Sequence, residues 1–332
     1  MAESVHDRVN RYLADTIAAE ENFEAALNVF GQSGIQEPVQ QLLFSFAAKA
    51  ETQHKRLKDA LDKRGGTPSK AKTALAQMLA FTPLSAQMGQ GSAEKNTQHL
   101  MVTYAAAAAE MAMYESLAEA ASGAGDGELA MLARTLQSEE QQDHRQVWNL
   151  LRHSARESFQ AELEKGKNAD ALMRTYLEEA IAAEKSFETQ LNGFAKETSD
   201  PSVRELFTSH AQETRAQYER LTARLNVLKG SPSLVKSMLA HMFAFAPKIA
   251  QTGHDAEERL TQNLMMAYAV ENAEVAMYES MAEVAHTSGD AETEQMALAI
   301  QQQEKATAGK IWPHIAPAAR RSISVISTAR AS

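Results

Sequence analysis

The sequence predicts an all-α protein built from two tandem four-helix bundles, each with a short extra helix in its crossover. Three observations predict it. Breakers and aromatics are scarce: 8 prolines, 15 glycines and 6% aromatic residues in 332 positions. An all-β chain of this length needs many turn residues and many β-branched or aromatic strand positions. The chain also aligns to itself at an offset of 164 without a gap, so two copies fill almost all of it. Finally, apolar residues recur at three-to-four spacing over stretches long enough for helices of many turns.

Within the first copy the predicted helices run at about 7–31, 37–63, 69–81, 94–122 and 127–152. The first carries the stripe Leu13, Ile17, Phe23, Leu27, Phe30 and the second Val39, Leu43, Phe46, Ala50, Leu57, Leu61, each of which must be buried against other helices. Gly31 to Glu37 is short enough to make these two antiparallel neighbours. The short helix, with Leu75, Met78, Leu79 and Phe81, lies in a connection long enough to cross the bundle, and is expected to pack as a lid rather than on a membrane or partner. The third long helix carries Leu100, Tyr104, Ala107, Tyr114 and Leu117, and the fourth Leu136, Val147 and Leu151. The second copy repeats the plan at about 170–195, 200–227, 233–245, 258–287 and 290–316, with Gly66-x-Pro68-Ser69 matched by Gly230-x-Pro232-Ser233. Domain spans of 1–160 and 165–328 follow. Trp148 and Trp312 recur and are assigned to packing.

Composition excludes several classes of function. With 43 acidic and 33 basic residues, a net charge of −10 and no basic block, the chain lacks the electrostatic footprint for nucleic acid. No stretch approaches the ~20 apolar residues of a membrane span, and Met-Ala-Glu-Ser-Val-His-Asp at the start carries charge where a signal peptide is apolar. A soluble cytoplasmic protein is expected. Cysteine is absent, so any metal must be held by carboxylate, imidazole or phenol, ligands that suit hard or borderline ions.

Acids interrupt the apolar stripes. Glu20 falls between Ile17 and Leu27 on the first helix, Glu51 and His54 between Ala47 and Leu57 on the second, Glu110 in the inward row of the third, and Glu140 with Asp143 in that of the fourth. Each helix thus offers a carboxylate about halfway along, and burying several ionised carboxylates together is costly unless a cation compensates them. Glu51-x-x-His54 places a carboxylate and an imidazole one turn apart, and the general pattern of dinuclear carboxylate bundles is a Glu from each of two helices plus Glu-x-x-His from each of the others. On the fourth helix the partner of Glu140 is either Asp143 or His144. About two ions, iron or manganese, are therefore expected in the first copy, held by Glu20, Glu51, His54, Glu110, Glu140 and Asp143 or His144.

The second copy keeps Glu184, Glu274 and Glu304 but has Arg215, Tyr218, Thr307 and Ala308 in place of Glu51, His54, Asp143 and His144. An arginine among three carboxylates can neutralise them. A pseudo-site without metal is expected there, with a shifted site using Glu213 and Gln217 as a weaker option.

These residues carry a resemblance. Ala-Ala-Glu-x-x-Phe-Glu in the first helix, Glu213-Thr214-Arg215-Ala216-Gln217-Tyr218-Glu219-Arg220-Leu221 and Gln303-Glu304-Lys305-Ala306 resemble the YciE/YciF-type ferritin-like proteins over both copies. The resemblance implies ferritin-like bundles, a bacterial stress-response setting and dimerisation, so that one chain is a covalent pseudo-dimer, with a homodimer of chains a further option. Ferritin-like proteins bind di-iron or di-manganese and handle ferrous iron, dioxygen or peroxide. Glu51 and Glu140 would then bridge, Glu20 and Glu110 would be terminal, and Tyr114, one turn from Glu110, could serve in catalysis, although its recurrence as Tyr278 favours a structural role. The competing expectation is a metal-free structural or interaction protein with remnant acids.

Overall fold

The computed structural model of the chain describes residues 3–33, 35–67, 92–232 and 254–329. Among them are eight α-helices and no strand: α1 (Val5–Gly31), α2 (Glu37–Lys63), α3 (Ser92–Gly123), α4 (Gly127–Glu164), α5 (Ala169–Glu197), α6 (Pro201–Val227), α7 (Ala256–Ser288) and α8 (Ala291–Ala329). The helices α1 to α4 form one bundle and α5 to α8 the second. The short helices expected at 69–81 and 233–245 lie outside the described residues. No helix among the described residues is long and apolar enough to cross a membrane.

Local chemistry sets the helix starts. Ser4 and Asp7 form a reciprocal capping box on α1, as Asp255 and Glu258 do on α7. Asp126, Asn168 and Asp200 cap α4, α5 and α6 through their side chains, and prolines sit in the first turns of α2 and α6. At the end of α2, Gly65 takes φ +66° and the Gly66 N–H closes on the Leu61 carbonyl at 3.0 Å. The repeat builds the same stop after α6, but with Lys229 at φ 59°.

Two helices depart from the amphipathic pattern. In α3 and α7 nearly every side chain after the first turn is buried, because each packs on its own fourth helix and also on the other bundle. A helix buried all round shows no polar face, and the alanines Ala105 to Ala109 allow close approach at this centre. The fourth helices are also longer than the sequence pattern indicates: α4 continues past 152 to Glu164, and α8, which carries Pro313 and Pro317 within it, continues past 316 to Ala329. Their tails reach the opposite bundle, where α4 packs on α7 and α8 on α3. Ala155 and Phe159, like Ile315 and Ile323, are buried along these tails.

Arginines clasp the two bundles. Arg11 binds Glu258 in a two-pronged contact, both at 2.8 Å, and the buried Arg8 reaches Asp255 at 2.7 Å and the Ser322 carbonyl at 3.0 Å. On the other side Arg152 and Arg156 hold Glu283 at 3.0 and 2.6 Å, and Arg320 pairs with Glu119.

Candidate metal centre

The most concentrated acid cluster lies in the second bundle. All four of its helices contribute: Glu184 from α5, His210 from α6, Glu271 and Glu274 from α7, and Glu304 from α8, each 2% exposed or less. The α6 stripe Val203, Phe207, His210, Thr214, Gln217, Leu221 turns His210 inward, and Glu271, Glu274 and Tyr278 share one face of α7 by their three- and four-residue spacing. His210 Nδ1 lies 3.0 Å from Glu271 Oε1 and Nε2 lies 3.7 Å from Glu304 Oε2. One ligand atom from each of these three residues lies within 4.8 Å of the others, the sole such trio among the described residues.

His210 is the one cationic side chain among these acids and faces only Glu271 and Glu304, so the charge of the cluster is compensated in part. Burial, with the charges of Glu304 and Glu271, pushes the Glu184 carboxyl well above the usual carboxylate range, against the Tyr278 hydrogen bond and the His210 charge. Burial, Glu184 and Glu304 do the same to Glu274. Burial likewise raises Glu271 to about 8 despite His210. For His210 burial works downward, but Glu271 and Glu304 outweigh it and hold the imidazole up at about 10. Both oxygens of Glu274 and Oε2 of Glu184 and of Glu304 have no hydrogen-bond partner, although all are buried. Orphaned buried oxygens are costly, and a cation would satisfy them. Oxygen and imidazole donors without sulfur fit iron or manganese. Tyr278 donates to Glu184 and Gln217 to Glu304, so two of the acids are oriented from behind.

The first bundle repeats only part of this. Glu20, Glu110 and Glu140 are brought together as expected, all buried, with Tyr114 donating to Glu20 and Gln53 to Glu140 at 2.8 Å. Phe46 and Ala107 stand where the second bundle has His210 and Glu271. Asp143 is also buried and is paired with Lys49.

The other predicted ligands lie elsewhere. Glu51 is exposed and paired with Lys55 at 2.5 Å. His54 sits at the bundle surface between Glu21 and Glu24, at 3.1 and 3.4 Å. The inward row of α2 is Phe46, Ala50, Gln53, Leu57, so both residues come one position later, about 100° round the helix. His144 faces the junction of the bundles, stacked on Tyr104 with ring centroids 3.7 Å apart, where burial lowers it to about 4. Arg215 is exposed, held by Glu219 at 3.0 Å and Glu188 at 3.7 Å, and does not enter the second cluster. The metal-fitting trio thus stands in the repeat from which a metal was not expected.

His210 and Glu271 escape a search that takes the first copy as template, because their counterparts there are Phe46 and Ala107. The signal was present in the second copy alone: a histidine continuing an apolar stripe, and Glu271-x-x-Glu274 on a helix otherwise rich in alanine and methionine. Gln217, part of the shifted site considered from sequence, does reach Glu304, whereas Glu213 accepts from Thr307 at 3.3 Å at the edge of the cluster.

Residues 4–162 and again 168–323 match the family described as "Domain of unknown function (DUF892)", so the chain belongs to that family twice over. No curated protein matches the chain, and no solved structure matches it.

Proposed function

As a tandem member of this family, the chain is, we propose, a metalloprotein whose second bundle holds iron or manganese, about two ions, for oxidation by dioxygen or peroxide. The observation that supports this reading is the convergence of His210, Glu271 and Glu304 within 4.8 Å, beside Glu184 and Glu274 with oxygens that nothing else satisfies. The ferritin-like resemblance of the sequence supports the reaction class and a stress-response setting.

His210, Glu271 and Glu304 would hold one ion, with Glu184 and Glu274 available to a second beside it. When bound, ferrous or manganous ions supply the electrons that reduce dioxygen or peroxide. The protein's own part is positional. Tyr278 and Gln217 fix Glu184 and Glu304, so the acids need little rearrangement on binding. Phe187, fully buried with its ring T-shaped to His210 at 5.2 Å, forms an apolar wall beside the imidazole. Protons leave His210, Glu184, Glu271 and Glu274 as the cation enters, so binding tightens with rising pH.

The test loads metal-free chain anaerobically with ferrous iron and measures bound metal per chain and oxygen consumption. About two ions per chain are expected, lost in His210→Ala and in Glu274→Ala. Absence of binding above background, or binding indifferent to both substitutions, would return the protein to the metal-free structural reading.

A further inference from the structure

The acid cluster of the first bundle remains to be explained. Glu20, Glu110, Glu140 and Asp143 are buried together, and both oxygens of Glu110 and Oε2 of Glu20 and of Glu140 lack a hydrogen-bond partner. Such a set should demand a cation as the second bundle's does. One is present at its edge: the partly exposed Lys49 side chain on α2 lies 5.9 Å from the Phe46 ring centroid and pairs with the buried Asp143. In the second copy both partners are exchanged together, Lys49 for Glu213 and Asp143 for Thr307, and there a hydrogen bond replaces the ion pair.

We infer that the first bundle contains a latent divalent-cation site that Lys49 keeps closed, its ammonium supplying from the edge of the cluster the positive charge that a metal ion supplies in the second bundle. The comparison rests on the reading of the second bundle given above, but the site does not. Glu20, Glu110, Glu140 and Asp143 are buried near one another without the histidine and glutamate of the second bundle and less tightly grouped than its trio, and an all-oxygen set suits a hard ion such as Mn²⁺. An ammonium beside Asp143 opposes a second cation in two ways, by direct repulsion at short range and by occupying one of the four acids.

The experiment uses the full chain carrying His210→Ala and Glu274→Ala, which silence the second bundle. Mn²⁺ is titrated by following the signal of the free ion in electron paramagnetic resonance. This parent should bind no Mn²⁺ at its interior. Adding Lys49→Glu, the residue of the other repeat, should create a site for at least one Mn²⁺ per chain, roughly tenfold tighter or more than any binding by the parent, and should raise the melting temperature in Mn²⁺. The gain should disappear with Glu110→Gln. If Lys49→Glu does not fold, Lys49→Met removes the charge without adding an acid and should show the same gain. No gain in a folded Lys49 variant, or Glu110-dependent binding by the parent while Lys49 is present, overturns the inference. Failure of the second-bundle reading is seen separately, as absence of His210-dependent Mn²⁺ binding by the unsubstituted chain.

Discussion

Lys49 and Glu213 occupy the same place in the two repeats, and each meets the residue that differs on the fourth helix: Lys49 pairs with Asp143, and Glu213 accepts a hydrogen bond from Thr307 at 3.3 Å. One helix position thus sets an ammonium beside the acids of the first bundle and a carboxylate beside those of the second. The two clusters differ also at Phe46 and His210 and at Ala107 and Glu271, but share their orienting bonds, with Glu20 and Glu184 each receiving a tyrosine hydroxyl and Glu140 and Glu304 each receiving a glutamine amide.

The tyrosines should matter to stability in the metal-free chain. Tyr278 is fully buried and its hydroxyl is the partner of Glu184 Oε1. Tyr278→Phe leaves that oxygen without a donor, and a cost of about 1.5–3 kcal/mol is expected from loss of a bond to a charged or strongly polar buried group. Denaturant unfolding measures it. An unchanged midpoint would show that the Glu184 carboxyl finds another donor.

Lys229 offers a stabilising substitution. It holds φ 59° where the first copy has Gly65 at φ 66°, a conformation that costs an L-residue with a side chain roughly 1 kcal/mol. Lys229→Gly should raise stability by about 0.5–1 kcal/mol, and Gly65→Ala should lower it by a similar amount. Paired thermal melts decide this. A fall in stability for Lys229→Gly would mean that the lysine stem contributes more packing than its backbone costs.

The clasp between the bundles should be acid-sensitive. Glu258 is buried, which alone would raise its pKa, yet His254, Arg11 and Arg8 hold it down at about 2, with Asp15 the other acid facing it across the junction. Because the folded value lies below the usual 4.5, the stability it confers is present above pH ~4.5 and is lost as pH falls toward 2, on the order of 3 kcal/mol in all. Glu258→Gln should flatten the pH dependence of unfolding over that window. An unaltered slope would place the acid sensitivity in other carboxylates.

Glu51 and His54 serve as the negative control. Glu51 is exposed and His54 is only partly buried among Glu21 and Glu24, so Glu51→Ala should leave the unfolding midpoint unchanged. Neither Glu51→Ala nor His54→Ala should change metal content. Loss of metal in either variant would move the centre to the first bundle.

Much of this arrangement was legible in the residues. Six of the eight helices were legible with both ends close to the observed ones, because capping side chains, glycine stops and apolar stripes are local signals. Glu20, Glu110 and Glu140 were legible for the same reason, each being an acid in an otherwise apolar row. The second helix was not. Its stripe has a gap between Ala50 and Leu57 that either Gln53 or His54 can fill by spacing, and a difference of one residue turns a side chain from the core to the surface. The ends of α4 and α8 were missed because the faces that keep those tails helical are supplied by the opposite bundle.

By itself, then, the sequence determined an all-helical tandem repeat with acids inside its bundles, since periodicity, breakers and self-alignment are properties of the chain alone. Only the tertiary structure decided which acids meet. Rotation about the α2 and α6 axes placed Gln53, His210 and Gln217 inward and Glu51, His54 and Arg215 outward. That rotation is fixed by the burial of Phe46, Leu57, Phe207 and Leu221 against the other helices, an energy that no short motif records.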